Sequence, residues 1–477
     1  VTQVTATPQL GGQVTGGGVL NLANLATGGP PELDFEVAAT DVSGDAIAAL
    51  YDVEQLPVTL GIVGATATII GPPDALKTQI NLQAPTLAYG GQIYPATATA
   101  IFADGGLSIP QAQIQVGTGT LTGQGDVGRD SWQADIVANN IDLQALGIAQ
   151  IPPGNFNADV ALAGPLQGAS LDNILAMGDY SLQLADGSVQ GNAELANGGW
   201  QTTATLNSLG LTQFASQLQG DTSGTVSLAG RLDALTLADI SGQGDLTFSA
   251  GLAGFSSQLA GFDAPLSSRF AWTGQELLIE QASSAQLQAR GGVSPQFDGN
   301  QFQGIRGFTL DLDAQRYPLA LLPSPVPVGG FASFNGQLVG TPSNPQLDGT
   351  LLLEEFAVNQ VAFDPVLLGP ISYQPQAGLS VNLVGQNGPV LASGRPDGIA
   401  INFQTTRDFD FDVSWQGAQA IGRTDGDLLR TTLQDLPLQA LGVPAINRLG
   451  GGLQGTLSSQ GEWVVDLNRQ TLVGDFF

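Results

Sequence analysis

The sequence contains no cysteine and no histidine, and Lys77 is its only lysine. The chain can therefore form no disulfide, has no thiol nucleophile or imidazole base, and lacks the ligands of an ordinary zinc site. Basic residues are scarce, because 13 Lys and Arg stand against 42 Asp and Glu for a net charge of −29. This balance argues against a nucleic-acid partner, whose phosphates need clustered positive charge.

The chain has enough apolar residues to bury a large core, since 42% of its 477 residues are hydrophobic. Residues 55–73 form an uncharged run that could be mistaken for a membrane span. Prolines bracket this run, and apolar residues alternate with small ones inside it. We therefore interpret it as strand and not as a transmembrane helix.

Apolar and polar residues alternate with a period of two along the whole chain, as in 33–37, 308–313 and 408–415. Successive side chains of a strand point to opposite faces, so one face would be apolar and the other polar. Sheets wetted on one side are antiparallel. The sequence predicts an all-β fold with a long antiparallel sheet, turns at 103–106, 185–187, 196–199 and 396–398, and at most short helices at 172–177 and 442–449.

A longer repeat overlies this alternation. A strand, a short Leu-rich step and a Gly-led strand recur from Trp132, Trp200, Phe308 and Leu429, with a fainter copy near Leu33. The approximate repeat units are 1–131, 132–199, 200–307, 308–428 and 429–477. We find no linker between them, so residues 1–477 are expected to form one continuous segment, with the prolines of 323–327 at a corner.

Two short motifs resemble ligand sites but fit strands better. Residues 123–128 match G-x-G-x-x-G, which binds a dinucleotide where the glycines open a helix, yet another alternating strand follows here. Residues 408–412 resemble the start of a calcium loop, but Val413 and Gln419 replace its Gly and Glu. We therefore expect no catalytic residues, no metal, no cofactor and no enzyme activity.

Composition leaves the role of the apolar face open. The face could be an ordinary core closed by two sheets or a solenoid, or an open groove that holds another molecule's hydrocarbon. A closed core would fit a β-solenoid surface adhesin or structural passenger. A carbohydrate-active enzyme on a β scaffold also stays open, because the 42 scattered acids could include a catalytic pair.

Two segments of the sequence resemble those of a known protein family. Residues 139–146 read Asn-Asn-Ile-Asp-Leu-Gln-Ala-Leu and are followed at 154–164 by Gly-x-Phe-x-Ala-x-Val-x-Leu-x-Gly. Residues 336–353 read Gly-Gln-Leu-Val-Gly-Thr-Pro-Ser-Asn-Pro-Gln-Leu-Asp-Gly-Thr-Leu-Leu-Leu. In these segments the chain resembles the AsmA-like/TamB superfamily of envelope proteins, and the resemblance covers most of residues 33–465. Residues 351–369 resemble cyanobacterial members of the superfamily in particular.

The resemblance implies that the sheet curls into a U-shaped groove, or β-taco, built from irregular multi-strand repeats. Its apolar inner face would conduct phospholipids between the inner and outer membranes and so support outer-membrane biogenesis. The resemblance also implies a periplasmic location and an Omp85-family outer-membrane partner. The inner-membrane anchor and other membrane contacts would belong to parts of a longer protein, of which this chain is expected to be an interior section.

The residues expected to line the groove are the inward alternates of the strands. For each of them, plain core packing is an equal alternative to lipid contact. These candidates are Phe35, Val37, Leu60, Ile62, Trp132, Ile136, Val160, Leu162, Val226, Leu228, Leu246, Phe248, Leu310, Leu312, Leu351, Leu353, Val381, Leu383, Phe409 and Phe411.

Overall fold

The structure is a computed structural model, and the fold it shows is all-β, as the alternation predicts. It describes residues 4–7, 11–23, 29–46, 58–146, 152–166, 170–214, 216, 218–234, 236–254, 262–298, 301–321, 327–358, 361–386, 396–405, 408–437, 456–458, 463–467 and 471–473. The chain divides into two compact units. The first comprises Val1–Ser216, Asp221–Leu235 and Asp239–Gly242, and the second comprises Gln217–Gly220, Thr236–Ala238 and Gln243–Phe477.

The first unit is built from strands that follow one another along the chain. They are β1 (Val4–Ala6), β2 (Gln13–Asn21), β3 (Glu32–Ser43), β4 (Ile62–Gly71), β5 (Lys77–Ala84), β6 (Ala88–Tyr89), β7 (Gln92–Ile93), β8 (Ala96–Ala103), β9 (Gly106–Val116), β10 (Gly119–Val127), β11 (Ser131–Asp142), β12 (Gly154–Pro165), β13 (Leu175–Leu184), β14 (Ser188–Ala196), β15 (Gly199–Gly210) and β16 (Asp221–Arg231).

The second unit has the same construction and contains most of β17. Its strands are β17 (Ser241–Phe248), β18 (Leu266–Trp272), β19 (Leu277–Ser283), β20 (Leu287–Asp298), β21 (Gln301–Pro318), β22 (Val328–Thr341), β23 (Asn344–Val358), β24 (Val361–Ala362), β25 (Val366–Gln374), β26 (Gly378–Gln386), β27 (Gly398–Thr405), β28 (Asp408–Trp415), β29 (Ala418–Asp425), β30 (Leu428–Gln434), β31 (Leu436–Pro437), β32 (Thr456–Leu457), β33 (Trp463–Asp466) and β34 (Thr471–Val473).

From β2 to β16, and again from β18 to β30, each long strand pairs antiparallel with the next long strand in chain order, which makes a meander in each unit. Thirty strands belong to one antiparallel sheet, and β6–β7 and β31–β32 are separate small hairpins. The sheet is not closed, because in the described part of the chain β1 pairs only with β2 and β34 only with β33. Helix is limited to single turns of 3-10 type at Leu143–Leu146, Leu171–Asn173, Leu211–Gln213, Gly251–Gly254 and Leu319–Leu321, and a short helical stretch at 44–46.

The tight turns lie where the sequence predicts them. Asp104 and Gly105 join β8 to β9 with φ of 54° and 75°, and Asn197 and Gly198 join β14 to β15 with φ of 52° and 70°. These positive φ values match the right-handed twist of hairpin strands, which Asp, Asn and Gly tolerate best. A turn also forms around Gly187, between β13 and β14.

Four strands that begin the sequence repeats share one local device. Near the ends of β11, β15, β21 and β30 the residues Asn140, Ser208, Arg316 and Asp435 have φ between 43° and 52°. In each, the backbone N–H donates to a side-chain oxygen further along the chain, over 2.8–3.0 Å. The acceptors, in order, are Asn157, Ser223, Ser333 and Ser458. We call these contacts the bulge latches, because the strand register shifts beside Asn140, Ser208 and Arg316.

The buried residues of each unit gather near these bulges. In the first unit Val42, Ile141 and Leu209 directly follow the left-handed residues of β3, β11 and β15, and all are buried. These strands run in the same direction, so their bulges lie on one edge of the unit's sheet. In the second unit Leu319 packs with a cluster of buried residues: Leu353, Leu367, Leu383 and Ile399. The core of each unit is therefore a band near one edge of its sheet.

Several local predictions need correction or fall outside the described residues. A helix over 172–177 is wrong beyond Asn173, because Ala176 and Met177 pair with β14 and sheet pairing prevails over local preference. The turn signal at 396–398 leads directly into β27. Residues 123–127 lie within β10, and 408–412 within β28, as strands. The suggested helix at 442–449 and most of the proline corner at 323–327 lie outside the described residues.

Replacing Ser223 by Ala removes one bulge latch and leaves the Ser208 N–H without its acceptor. We expect Ser223→Ala to lower the free energy of unfolding by about 1 kcal/mol, the net contribution of one hydrogen bond. Ser372→Ala, on the polar side of β25 where the register does not shift, is the matched control. Urea titrations of both variants measure the difference, and equal midpoints would show that the latch has no energetic role.

Candidate functional site

The strand register divides the sheet of the first unit into a charged face and an uncharged one. Phe35 pairs with Ile69, Ile136 with Val160, and Ala204 with Val226, all on one face. The register-paired residues of this face include no Asp, Glu, Lys or Arg in the described strands of the unit. We call it the apolar face of the first unit. Asp34, Glu36 and Asp135 alternate with its residues and lie on the opposite side.

The second unit has an apolar face of the same kind. Leu310 pairs with Leu338, Leu347 with Tyr373, and Ile401 with Phe411. From β18 to β30 the register-paired residues of this face, among those described, are again uncharged. The acids Asp311, Asp313, Asp348, Asp410 and Asp412 lie on its reverse side.

The structure places eighteen of the twenty predicted groove-lining residues on the apolar faces. Sixteen follow from the strand register directly. Leu246 and Phe248 follow from alternation, because their neighbours Asp245 and Thr247 hydrogen-bond Arg269 and Ser267 on the charged side. Whether these residues contact lipid is part of the proposal below.

Leu60 and Ile62 do not belong to the apolar face as predicted. Ile62 is 49% exposed on the opposite side, and its neighbour Val63 pairs with the buried Val42. Leu60 precedes the strand and donates its backbone N–H to Asp45. Gly61 lies between them with a φ of 67°, which breaks the alternation that the sequence suggests from 58 to 62.

The apolar faces are only partly covered by protein. Of the eighteen candidates, only Leu353 and Leu383 are buried, at 6% and 2% exposure. Other large side chains, on the apolar face of the first unit, are more open, with Leu82 40% and Phe102 48% exposed. Part of the apolar sheet surface is therefore exposed.

A cavity of about 230 Å³ opens on the apolar face of the first unit. Its lining is almost wholly apolar and includes Phe156 and Val160 of β12, Tyr180 of β13, Leu195 of β14 and Trp200 of β15. Apolar cavities of about 150 Å³ already bind small hydrocarbons in other proteins. The cavity can therefore hold part of an aliphatic or aromatic group.

The floor of the cavity is made of aromatic rings that lie flat on the sheet. Tyr180 lies across Gly191, and its hydroxyl reaches Thr202 at 2.9 Å, two strands away. Trp200 lies across Gly230, and a β-carbon there would meet its indole at 3.0 Å. The Trp200 N–H is buried without an acceptor among the described residues.

Sequence reasoning missed the small residues of this site. Gly178, Gly191 and Ala193 contribute to the cavity or its floor as much as the large residues do. Their signal in the sequence is a glycine or alanine at an apolar position of an alternating strand. Large apolar residues drew the prediction because they alone carry a strong hydrophobic pattern.

Several ion pairs of the described residues lie on the charged side of the sheet. Arg290 lies 3.0 Å from Asp311, whose other oxygen accepts from Gln337 at 2.7 Å. The hydrogen bonds from Gln337 and Arg290 lower the pKa of Asp311. These groups are largely exposed, so their contribution to stability is small. Their effect is to keep one side of an extended sheet hydrated and to discourage pairing between sheets.

Two buried acids in the second unit have a structural role. Asp364 and Asp397 are 7% and 2% exposed, and each accepts a hydrogen bond from the other's backbone N–H, at 3.3 and 2.9 Å. Asp397 also accepts from the Gln416 N–H at 2.6 Å. Desolvation raises the pKa of Asp397, and the charge of Asp364 adds to this increase. The pair joins the segments before β25, before β27 and after β28.

The described residues contain no group of three or more Asp or Glu able to hold a metal ion. No helix in the described part of the chain is long and apolar enough to cross a bilayer. No family model, curated protein or solved structure matches the chain. The apolar faces, with the cavity on the first, form the candidate site.

The raised pKa of Asp397 predicts a particular pH dependence. The folded state binds this proton more tightly than the unfolded state, so the associated stability is present at low pH and is lost as pH rises through the folded pKa. Asp397→Asn removes the charge but keeps only one acceptor oxygen, so its amide NH2 faces the N–H of either Asp364 or Gln416. We expect this variant to be less stable than the parent, by an amount that shrinks as pH rises, because only the parent loses stability as its Asp397 deprotonates.

Chemical denaturation of both proteins between acidic and neutral pH measures this dependence. Asp397→Ala, which also removes the acceptors for Asp364 and Gln416, is the comparison variant and should lose about 1–3 kcal/mol. A constant difference between parent and Asp397→Asn across the pH range would contradict the assignment.

Proposed function

We propose that this chain is a segment of a lipid-transfer protein whose apolar sheet faces receive the acyl chains of phospholipids. The observation that supports the proposal is an uncharged sheet face that continues from strand to strand and stays only partly covered. Exposing acyl chains to water is unfavourable by roughly 0.8 kcal/mol per methylene, or about 12 kcal/mol for a chain of about 15 carbons. An apolar face removes most of this cost.

The repetition of the face suits movement as well as binding. Neighbouring strands offer similar uncharged surfaces at about 4.8 Å intervals, so an acyl chain finds no single deep minimum along them. Headgroups would stay in water, since hydrogen-bonding groups are costly to bury without partners. The proposal includes curling of the sheet into a U-shaped groove and membership of the AsmA-like/TamB superfamily. It further includes a periplasmic location and delivery to an Omp85-family partner in the outer membrane.

Lipid that copurifies with the protein is the direct test of this function. Protein expressed in a bacterium with two membranes, washed free of detergent, should release phospholipid in near-stoichiometric amounts on solvent extraction and mass spectrometry. Protein that carries no phospholipid and does not bind it from vesicles would favour the closed-core adhesin or structural passenger.

A charge placed on the cavity wall should weaken binding selectively. Val160→Asp puts a carboxylate against the hydrocarbon, and Ala161→Asp puts the same group on the opposite side of the same strand. We expect Val160→Asp to bind a fluorescent fatty acid at least about tenfold more weakly, because burying a charge there is unfavourable. Ala161→Asp should bind like the parent, and equal loss in both variants would contradict the proposal.

The second unit permits the same comparison. Leu312 lies on its apolar face, and Thr309 lies on the charged side of β21. Leu312→Asp is expected to fold, by circular dichroism, and to lose photo-crosslinking to a lipid analogue. Thr309→Asp should keep it. Wholesale unfolding of Leu312→Asp would instead indicate a sealed core.

A further inference from the structure

Aromatic residues on the apolar faces are repeatedly paired with glycine. In five cases the register places the two residues directly opposite each other, and a β-carbon on the glycine would lie within about 3 Å of the ring. The pairs are Phe35 with Gly18, Trp132 with Gly164, Tyr180 with Gly191, Trp200 with Gly230, and Phe411 with Gly422.

None of the five glycines has a positive φ, so the backbone conformation itself does not require glycine. At Gly18 and Gly191 an added β-carbon would meet a backbone carbonyl oxygen of the neighbouring strand as well as the ring. At Gly164, Gly230 and Gly422 its nearest atoms all belong to the ring. Glycine inside a strand is otherwise unfavourable, because it loses more entropy on folding and leaves nothing to pack. The ring is therefore the feature that explains these last three glycines.

A ring that lies on a glycine occupies little of the space above the sheet. In an ordinary core, side chains stand roughly perpendicular to the sheet and interdigitate with the facing layer. Tyr180 instead extends along the sheet, across Gly191 to Thr202, where its hydroxyl is held. Thr202 in turn donates to the carbonyl of Asn192 at 2.7 Å, which fixes this end of the ring.

We propose that these glycines are specificity-determining residues of the acyl-binding face, because each lets its ring lie flat and so preserves the clearance that a hydrocarbon chain needs. The inference rests on the proposed function and adds a structural determinant to it. The cavity of the first unit is the place to test it, since Tyr180, Ala193, Leu195 and Trp200 line it together. A β-carbon at Gly230 would lie 3.0 Å from the indole of Trp200, to which all of its nearest atoms belong, and a larger side chain there would lift the ring into the cavity.

The test compares Gly230→Val with Ala229→Val, which enlarges a side chain on the opposite face of β16. Binding of cis-parinaric acid is measured by fluorescence for both variants and the parent. We expect Gly230→Val to bind about tenfold more weakly, the loss expected when about two methylenes of the ligand leave the cavity. Ala229→Val should bind like the parent.

A double-mutant cycle with Trp200→Ala shows whether the ring is responsible. Once the Trp200 ring is absent, the added side chain has no ring to displace, so Trp200→Ala/Gly230→Val should bind the probe as well as Trp200→Ala alone. If Gly230→Val does not fold, Gly230→Ala makes a smaller version of the same change, and a several-fold weaker affinity is expected.

The outcomes separate the two proposals. A parent protein that fails to bind the probe overturns the proposed function and this inference with it. A parent that binds while Gly230→Val and Gly230→Ala bind equally well overturns only the inference. A loss of binding by Gly230→Val that is just as large in the Trp200→Ala background also overturns it, since the added side chain would then act without the ring.

Discussion

The structure depends on the exclusion of charge from one side of an extended antiparallel sheet. A carboxylate or guanidinium on that side would lose hydration next to aliphatic side chains, at a cost far above the contribution of any single packing contact. The described strands meet this constraint in both units, with Asp, Glu and Arg on the reverse face. The hydrated face keeps the sheet in solution, while the other face is left for burial or for a ligand.

The bulge latches explain how apolar residues at one edge of the sheet become buried. An extra residue in the left-handed conformation lets the strand turn, and the apolar residue that follows is buried at the sheet edge. A side chain from a later segment satisfies the N–H that the bulge leaves unpaired. Burial is thus concentrated along one edge of each unit, and the centre of the apolar face stays accessible to a guest.

The aromatic rings that lie on glycines take up little space above the sheet. Tyr180 and Trp200 contribute large apolar area, yet they lie along the backbone and leave a cavity above them. Rings in such positions cover the backbone hydrogen bonds of the sheet. They also present flat apolar surfaces, which fit a flexible hydrocarbon chain better than projecting side chains would.

The sequence alone determined the strands, the hairpins at Asp104-Gly105 and Asn197-Gly198, and the faces of eighteen groove candidates, because these follow from a period of two and from local φ preferences. The sequence repeat, which recurs from Trp132, also pointed to the four strands that carry bulge latches. It misplaced Ile62, since one left-handed glycine reverses the face of everything beyond it. Only the tertiary structure decided where the bulges shift the register, that Tyr180 lies on Gly191, and that Asp364 and Asp397 cap each other. These features join residues from separate strands or segments, and their pairing depends on register and not on any local pattern.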